Sequence, residues 1–282
     1  MINVKTTYTL GICTMGSSSA ALFKNGVLIS AVEEERLSRR KNDNRFPSLA
    51  IEEVLDIEGI SLKNIDIVAV YWQPWRIFTR VKGTFKKFFI SSISRRAILK
   101  RLKDMAITSN SERDGSWSDL FTLKKLLLEK DSEFKGFIKF FDHHLTHQKY
   151  GEQINSWENC ISLSYDGGGE CDSTILSVIE KGKKRILSRH QWPNSLGHFY
   201  STFTGFLGFK MLEGEYKMMG LAPYGKPVYK DLILDKILNL ENGGRYKLNI
   251  EICDYHAALR GEFHKELSKL FGEKRLENQI PT

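Results

Sequence analysis

One arrangement of predicted strands occurs twice in this chain of 282 residues, and it constrains the fold more than any other feature. The first copy, residues 8–33, has an apolar strand, a turn of small residues and two strands joined at Asn25-Gly26. An Asn-Gly pair between apolar runs is typical of a two-residue hairpin turn. The second copy, residues 161–188, keeps this order around a glycine-rich turn. The repeat predicts two related α/β lobes with a cleft between them; the alternative is two hairpins that are alike by chance.

The segments between the two copies alternate between strand and helix patterns, which favours an α/β architecture. The predicted elements are a helix at 48–57 that stops at Gly59, a strand at 65–71, a helix at 117–130 and a strand at 137–141. A further helix is predicted around 195–207, and few strands follow it. We therefore predict a first lobe at residues 1–150 and a second, partial lobe at residues 151–282.

Composition excludes a membrane-spanning or disulfide-framed protein. Hydrophobic residues make up 41% of the chain and charged residues 27%, as is usual for a globular protein. No apolar run reaches the roughly 18 residues that a membrane span needs, and the N-terminus lacks the apolar core of a signal peptide. The four cysteines are scattered and are interpreted as free thiols. These features predict a cytoplasmic protein.

Much of the net charge of +8 comes from one segment. Between Arg76 and Lys103 there are ten Lys or Arg residues and no Asp or Glu, with apolar residues interleaved. Such a segment could bind RNA, an acidic membrane surface or a phosphorylated substrate. The alternative is a helical insertion into the first lobe, at about residues 76–130, with a solvated basic face.

Two histidines, His143 and His147, come just before the second copy of the repeat. Side chains four positions apart lie on one face of a helix, close enough to share a metal ion. Asp166, at the end of the next apolar strand, would add a carboxylate. Two histidines and a carboxylate with open positions suit Fe(II), Mn(II) or Zn(II). The alternatives are histidines that cap or pack, and an ordinary Asp-Gly turn.

The glycine turn and a later glycine-punctuated loop are candidates for binding a phosphorylated cofactor. Glycines let the backbone approach a phosphate closely, a lysine can bind phosphate, and a glutamate can orient a ribose or a metal-bound water. The candidate cofactor-binding residues are Gly167, Gly168, Gly169, Glu213, Lys217 and Gly220. The alternative for the later loop is a polar loop with incidental charges.

Together these segments resemble the O-carbamoyltransferase family of the nodulation and antibiotic-tailoring type. The matching stretches are residues 18–22 and 31–39, 142–147, 165–174, 195–200 and 213–225. The resemblance covers nearly the whole chain except about residues 76–130. It implies an N-terminal region similar to the Kae-type tRNA-modification proteins, with the duplicated ribonuclease-H-like fold of actin, hexokinase and heat-shock ATPases, the second lobe being incomplete.

The resemblance also implies a reaction. Family members carry a C-terminal YrdC-like domain that makes carbamoyl-adenylate from carbamoyl phosphate and ATP, and the N-terminal region passes the carbamoyl group to an acceptor hydroxyl. We expect this chain to lack the YrdC-like domain, as a fragment or a naturally short product, and to need a separate polypeptide for the adenylate. The expected acceptor is a sugar or another small natural product.

For the site, the resemblance implies iron held by His143, His147 and Asp166, and an adenylate cradled by the glycine turn and the loop at 213–220. Catalytic residues stay unassigned, because the family's Gly-His-Asp is replaced by Met15-Gly16-Ser17. This replacement is expected to slow or abolish transfer. One alternative function is a non-catalytic nucleotide- or metal-binding remnant or partner subunit. A further alternative is Kae-type tRNA modification, with the basic segment as the RNA-binding region.

Overall fold

The computed structural model describes residues 6–14, 16–76, 79, 117–155, 157–259, 261–276 and 279. The described residues within Met1–Trp75 and Thr108–Thr146 form one compact unit, and those within Arg76–Ile107 and His147–Thr282 form a second. Most of the basic segment lies outside the described residues, so its predicted role stays a prediction. The lobe boundaries drawn from the sequence also stay a prediction.

The first unit is built on a five-stranded mixed sheet in the order β3-β2-β1-β4-β5. Its strands are β1 (Tyr8–Cys13), β2 (Ser19–Lys24), β3 (Val27–Glu33), β4 (Ile67–Val70) and β5 (Phe137–Phe140). The first three strands are antiparallel, and β4 and β5 extend the other edge of β1 in parallel. Asn25 and Gly26 both have positive φ, as the predicted hairpin turn requires.

Helices cover one face of this sheet. They are α1 (Glu34–Ser38), α2 (Ser48–Glu58) and α3 (Trp117–Lys130). Leu10 of β1 and Val68 of β4 are fully buried in one core with Val54 of α2 and Leu127 of α3. The helix α2 begins where the buried Glu34 carboxylate accepts the amides of residues 49 and 50, and it ends at Gly59 with φ 70°.

The second unit holds a three-stranded antiparallel sheet in the order β6-β7-β8, made of β6 (Cys160–Tyr165), β7 (Asp172–Glu180) and β8 (Lys183–Gln191). The helix α4 (His143–Gln153) precedes it, and the boundary between the units falls inside this helix. The remaining elements are α5 (Leu196–Phe206), α6 (Glu215–Leu221), α7 (Lys230–Lys236), the paired strands β9 (Leu238–Glu241) and β10 (Arg245–Leu248), α8 (Tyr255–Ala258) and α9 (Lys265–Phe271). Short 3-10 turns occur at Leu62–Asn64, Pro74–Arg76 and Ala222–Tyr224.

The second unit has a smaller apolar core than the first. Its buried members are Phe206, Ile237, Leu248, Cys253 and Leu267, with Phe199 and Phe203 packed against them. The aromatic residues of α5 therefore pack in a core. All four cysteines are free thiols, as predicted.

The predicted mixed α/β fold is confirmed. The antiparallel three-stranded arrangement of β1–β3 recurs in β6–β8, but no counterpart of the parallel strands β4 and β5 joins the second sheet among the described residues. That the units are duplicated ribonuclease-H-like lobes stays a prediction. In the part of the chain that the structure describes, no helix has the length and apolar character needed to cross a membrane.

Candidate metal centre

The start of α4 determines where the two histidines lie. The Asp142 carboxylate accepts the amide of Leu145 at 3.0 Å, and the Thr146 hydroxyl donates to the carbonyl of His143 at 2.6 Å. The Asp142 carboxylate thus satisfies an unpaired amide of the first turn, and the helix starts at His143. His143 and His147 are therefore one turn apart on the same side of α4.

Gln148 fixes α4 to the second sheet. Its amide nitrogen donates to the carbonyls of Ser162 in β6 (2.9 Å) and Ile175 in β7 (2.8 Å), and its oxygen accepts the Ser177 hydroxyl at 3.0 Å. The side chain is only 2% exposed, so these bonds are shielded from water. An amide that binds two strands holds the helix in one position and register, which a purely apolar contact would do less strictly.

Asp166 follows the last residue of β6 and lies beside the histidine pair. Its amide donates to the carbonyl of Ser173, which closes the β6–β7 turn, and its carboxylate Oδ2 lies 3.7 Å from Nε2 of His147. One ligand atom from each of His143, His147 and Asp166 lies within 4.8 Å of the other two. Among the described residues, no other three histidine, cysteine or acidic side chains meet this closely.

The donor set fits a first-row divalent metal. Metal bonds of about 2.1 Å to nitrogen and oxygen place two ligand atoms at most about 4.2 Å apart, so small side-chain rotations would bring this group into range. His143 is buried, Asp166 is half-buried and His147 is exposed, so a bound ion would have positions open to a substrate. The His143 ring also lies 5.3 Å from the Tyr71 ring and 4.9 Å from the Trp72 ring, which restricts its orientation.

The glycine turn packs against the first turn of α5. The buried Ser195 hydroxyl lies 3.0 Å from the carbonyl of Asp166 and 2.9 Å from that of Gly167, and it accepts the amide of His198. A Cβ atom on Gly197 would lie 2.5 Å from the amide nitrogen of Gly167. Only glycine at 197 therefore allows the helix and the turn to approach this closely.

Ser195, Gly197 and His198 lie in one of the stretches that carry the family resemblance, but their pattern predicted no role for them. Ser195 could have been found, because a serine before a run of aromatic residues is a helix-start signal. The close approach of Gly197 depends on how two distant segments meet, which a sequence pattern does not indicate. His198 stacks on Tyr255 at 3.7 Å, and its Nε2 would lie 3.4 Å from a Cβ atom on Gly167. These two rings form an aromatic wall beside the glycine turn.

In the loop at 213–220, the contacts described for the candidate residues Glu213 and Lys217 lie within residues 210–217. Glu213 pairs with Lys210 at 2.6 Å, the exposed Lys217 lies 6.0 Å from the Tyr216 ring, and Gly220 has open space around it inside α6. Glu215 ties the loop to α5 by accepting the Ser201 hydroxyl at 2.7 Å. The assignment of Glu213, Lys217 and Gly220 to the adenylate stays a prediction.

The β1–β2 loop contains the replaced Gly-His-Asp motif. Gly16 has φ 76°, and both Gly16 and Ser17 are exposed. The hydroxyls of Thr14 and Ser18 are buried and have no hydrogen-bond partner among the described residues. Neighbouring Ser18 donates its amide to the carbonyl of Asp43 at 2.8 Å. Hydrogen bonding to Arg45 holds the pKa of the Asp43 carboxyl well below its ordinary value.

Arg36, in the acidic corner that follows β3, lies 3.3 Å from Glu33 and 3.7 Å from Glu35. These pairs make the stretch a salt-bridged surface corner, in which each exposed pair contributes little to stability.

Comparison with known proteins identifies the family. The family model described as carbamoyltransferase N-terminus matches residues 8–281. The chain belongs to this carbamoyltransferase family. The resemblance inferred from the motifs is thereby confirmed, and the membership indicates a transferase.

Three relatives show how far the similarity of this chain to longer proteins extends. An uncharacterized protein, sll1178, from Synechocystis is 35% identical over 98% of this chain and 44% of its own length. Nodulation protein NolNO from Sinorhizobium fredii is 31% identical over 84% of this chain and 32% of its own length. The uncharacterized protein MJ1051 from Methanocaldococcus jannaschii is 27% identical over 96% of this chain and 46% of its own length. The chain thus spans less than half the length of these relatives.

Proposed function

We propose that this chain is the acceptor-side region of a carbamoyltransferase, which moves a carbamoyl group from carbamoyl-adenylate to a hydroxyl of a small sugar or natural product. In this proposal His143, His147 and Asp166 hold a divalent metal ion, Fe(II) as the resemblance implies. The observation that carries the proposal is the convergence of these three ligand atoms within 4.8 Å in a member of the carbamoyltransferase family.

The proposed reaction makes modest demands on the protein. The acceptor oxygen bonds to the carbamoyl carbon, the bond from that carbon to the phosphate oxygen breaks, and AMP and a proton are released. A mixed anhydride is already activated, so the site mainly positions the two reactants. A bound metal ion would supply charge neutralisation at the phosphate and polarise the carbonyl.

The residues of this chain would supply the positions. The Asp142 cap and the Gln148 bonds orient α4. The Ser195 hydroxyl fixes the glycine turn that follows β6. The backbone at Gly167–Gly169 can approach a phosphate without side-chain obstruction. The aromatic wall of His198 and Tyr255 offers a stacking surface for an adenine or a sugar ring.

The first test is metal content. The chain is loaded anaerobically with Fe(II), Mn(II) or Zn(II), desalted, and analysed for metal per chain by mass spectrometry. His147→Ala is the main variant because this side chain is 55% exposed and its loss should leave the fold intact. His264→Ala, which removes a histidine that caps α9, is the matched control. Loss of metal in His147→Ala and Asp166→Asn, with retention in His264→Ala, is expected; equal metal in all variants would contradict the site.

The second test concerns the donor. A sulfamoyl analogue of carbamoyl-adenylate that cannot react is titrated against the metal-loaded chain by calorimetry, with AMP as a comparison ligand. We expect binding that weakens when metal is removed and when Gly168 is changed to Val. An analogue that binds no better than AMP, or with no dependence on metal, would contradict a carbamoyl-adenylate site.

A second candidate function is a non-catalytic subunit that binds nucleotide or metal. The exposed Gly16-Ser17, in place of the family's His-Asp, favours it. The double variant Gly16→His/Ser17→Asp separates the two functions. The native chain and the variant are each mixed with the remaining polypeptide of a longer family member and assayed for carbamoyl transfer. Transfer that appears only in the restored variant would assign the native chain to the non-catalytic role. Transfer by the native mixture would exclude that role. Kae-type tRNA modification stays a prediction, because its basic segment lies largely outside the described residues.

A further inference from the structure

A cavity of about 240 Å³ lies on the face of the first sheet that points away from α2 and α3. Side chains alternate along a strand, so Leu10 packs in the core under the helices and the neighbouring Gly11 faces the other way. Gly11 is opposite Ala21 on one side and Ala69 on the other, and all three line the cavity. Because none of them carries more than a methyl group, the sheet is hollow at this place.

One wall of this cavity contacts the residue that begins the candidate metal centre. Tyr71, which follows β4, and Thr146 of α4 both line the cavity. The Tyr71 ring lies 5.3 Å from the His143 ring, and the Thr146 hydroxyl donates to the carbonyl of His143. These residues all belong to the first unit. A molecule in the cavity would therefore lie beside His143, which is where the proposed reaction needs its acceptor hydroxyl.

The cavity offers hydrogen-bonding groups but no charge. Its polar side chains are those of Cys13, Ser19, Tyr71 and Thr146, and the other described residues that line it are glycine, alanine, valine, isoleucine and phenylalanine. Hydroxyl groups of a ligand can bond to the polar side chains, and an apolar ring face can pack against Phe141. An ammonium or phosphate group would lose its water without meeting an opposite charge, which is costly. The lining therefore favours an uncharged alcohol.

The size of the cavity limits which part of an acceptor can enter it. A water molecule has about 30 Å³ of liquid volume, so the cavity corresponds to roughly eight waters, or one six-membered ring with small substituents. A second cavity of about 420 Å³ shares Ser19 and Ala21 with the first and is also lined by Glu33 and Arg36. It has room for the rest of a larger acceptor, including any charged group.

The replaced motif of the β1–β2 loop borders the same cavity. Cys13 and Ser19 are the residues at the two ends of this loop, and both line the cavity. Between them the chain has the exposed Gly16 and Ser17 where the family has a histidine and an aspartate. This chain thus has smaller and uncharged side chains at the border of the cavity, which agrees with an uncharged ligand.

We propose that this cavity binds the acceptor, and that the reacting ring of the acceptor is uncharged with one largely apolar face. A deoxygenated or methylated sugar and an alicyclic alcohol belong to this class. The Ser19 and Thr146 hydroxyls would bind the hydroxyl groups of the ring, and Phe141 would contact its apolar face. The inference rests on the proposed transfer reaction and narrows its acceptor, and its test uses neither metal nor donor.

The test uses a cysteine of the cavity as a reporter. Cys13 lines the cavity and is half-buried, and Cys160 in β6 is a half-buried thiol that serves as the internal control. The full chain is treated with iodoacetamide at pH 7.5, and alkylation of each cysteine is followed by mass spectrometry of its peptide. The probes are trans-1,2-cyclohexanediol and its charged counterpart, trans-2-aminocyclohexanol.

Two variants reduce the cavity by different amounts. Ala69→Leu adds three carbon atoms to its floor, and Gly11→Ala adds a methyl group whose nearest neighbour would be 3.7 Å away, an ordinary contact that the fold can accept. The matched control is Thr9→Leu, because Thr9 lies on the same face of β1 as Gly11 but lines neither cavity. Circular dichroism checks the folding of all three variants.

The diol should slow alkylation of Cys13 by about threefold or more and leave Cys160 unchanged, and the amine should need about tenfold higher concentration for the same effect. The concentration of diol that gives half of the effect should rise about tenfold in Ala69→Leu and about threefold in Gly11→Ala, with no change in Thr9→Leu. Equal action of the two probes, equal protection of Cys160, or the same concentration in all folded variants would overturn the proposal.

Failure of this proposal can be told apart from failure of the proposed function. No protection of Cys13, in a chain that binds metal and the carbamoyl-adenylate analogue, would remove the acceptor cavity alone. Protection of Cys13 in a chain that binds neither would disprove the transfer reaction, and with it the assignment of the bound alcohol as an acceptor.

Discussion

The two sheets differ in what lies under the helices that cover them. In the first sheet, Leu10 and Val68 lie under α2 and α3. In the second sheet, the face toward α4 is mixed: it carries Ser162 and Ser177 around Gln148 together with the buried Ile175, and Leu163 is on the exposed face. The first unit is therefore held mainly by apolar burial. The helix that carries the two candidate metal ligands is also held by directional hydrogen bonds, which give it a defined position.

The largest effect should come from the same substitution made in the two sheets. Leu10→Ala in β1 removes a fully buried side chain and should lower the free energy of unfolding by about 2–5 kcal/mol, because it leaves a cavity. Leu163→Ala in β6 should change it by no more than about 0.5 kcal/mol in the isolated chain. Urea unfolding followed by hydrogen exchange of the two sheets measures both.

The same two variants can also refute the contrast between a buried leucine in β1 and an exposed leucine in β6. A large loss of stability in isolated Leu163→Ala would mean that the exposed face of β6 is already covered within this chain.

The second effect concerns the polar layer under α4. Gln148→Ala leaves two buried strand carbonyls and the Ser177 hydroxyl without their partner, which should cost about 2–4 kcal/mol in the second unit. Because the helix also loses its fixed position, Fe(II) content should fall as well. Gln153→Ala, at an exposed position of the same helix, is the control and should change neither quantity. Unchanged metal content in Gln148→Ala would mean that this amide does not position the histidines.

The third effect tests the close approach of α5 to the glycine turn. Gly197→Ala would place a methyl group 2.5 Å from the Gly167 amide nitrogen, so the helix or the turn must shift, at about 1–3 kcal/mol. Gly151→Ala, in α4, has open space and should be neutral or stabilising by up to about 1 kcal/mol. Thermal unfolding and metal titration compare the two variants. Equal unfolding temperatures and equal metal binding in the two variants would show that the glycine turn moves freely enough to accept the methyl group.

Much of the local structure could be predicted from the sequence, and the reasons are physical. The helix over residues 117–130 follows from the spacing of Leu120, Leu123 and Leu127, and the first hairpin follows from Asn25-Gly26, because both signals are local. The histidine pair was predictable for the same reason, since a helix fixes a four-residue spacing.

What the sequence could not indicate depends on contacts between distant segments. The Gln148 bonds join residues 14 to 29 positions apart, and a lone glutamine in a helix carries no sign of them. Likewise, the alternation of β6 predicts a strand with two unlike faces, but the burial of the serine side was not predictable without the position of α4. The assignment of Lys217 to the adenylate stays a prediction, because charge and flexibility in a loop do not specify a neighbour.

The smallest expected effect is a difference between the two units in how their stability depends on pH. His190 in β8 is buried and stacks on Tyr246 at 4.0 Å, and burial lowers the pKa of its imidazole below the ordinary value of 6.5. Above pH 6.5 the folded and unfolded states both hold it neutral. Below that pH the unfolded state takes up the proton first, so the second unit should lose stability as the pH falls, by less than about 1.4 kcal/mol per pH unit.

The first unit should respond in a lower range of pH. The lowered pKa of Asp43 means that its pairing with Arg45 stabilises the fold above the ordinary carboxyl value of 3.8 and is lost only as the pH falls further. Hydrogen exchange at pH 7 and pH 5 should therefore show larger loosening around β8 than around β1, and His190→Gln should remove the part due to this histidine. Equal loosening of both sheets, or no change in His190→Gln, would mean that the pH response is shared, and the contrast between the two sheets would then be limited to packing.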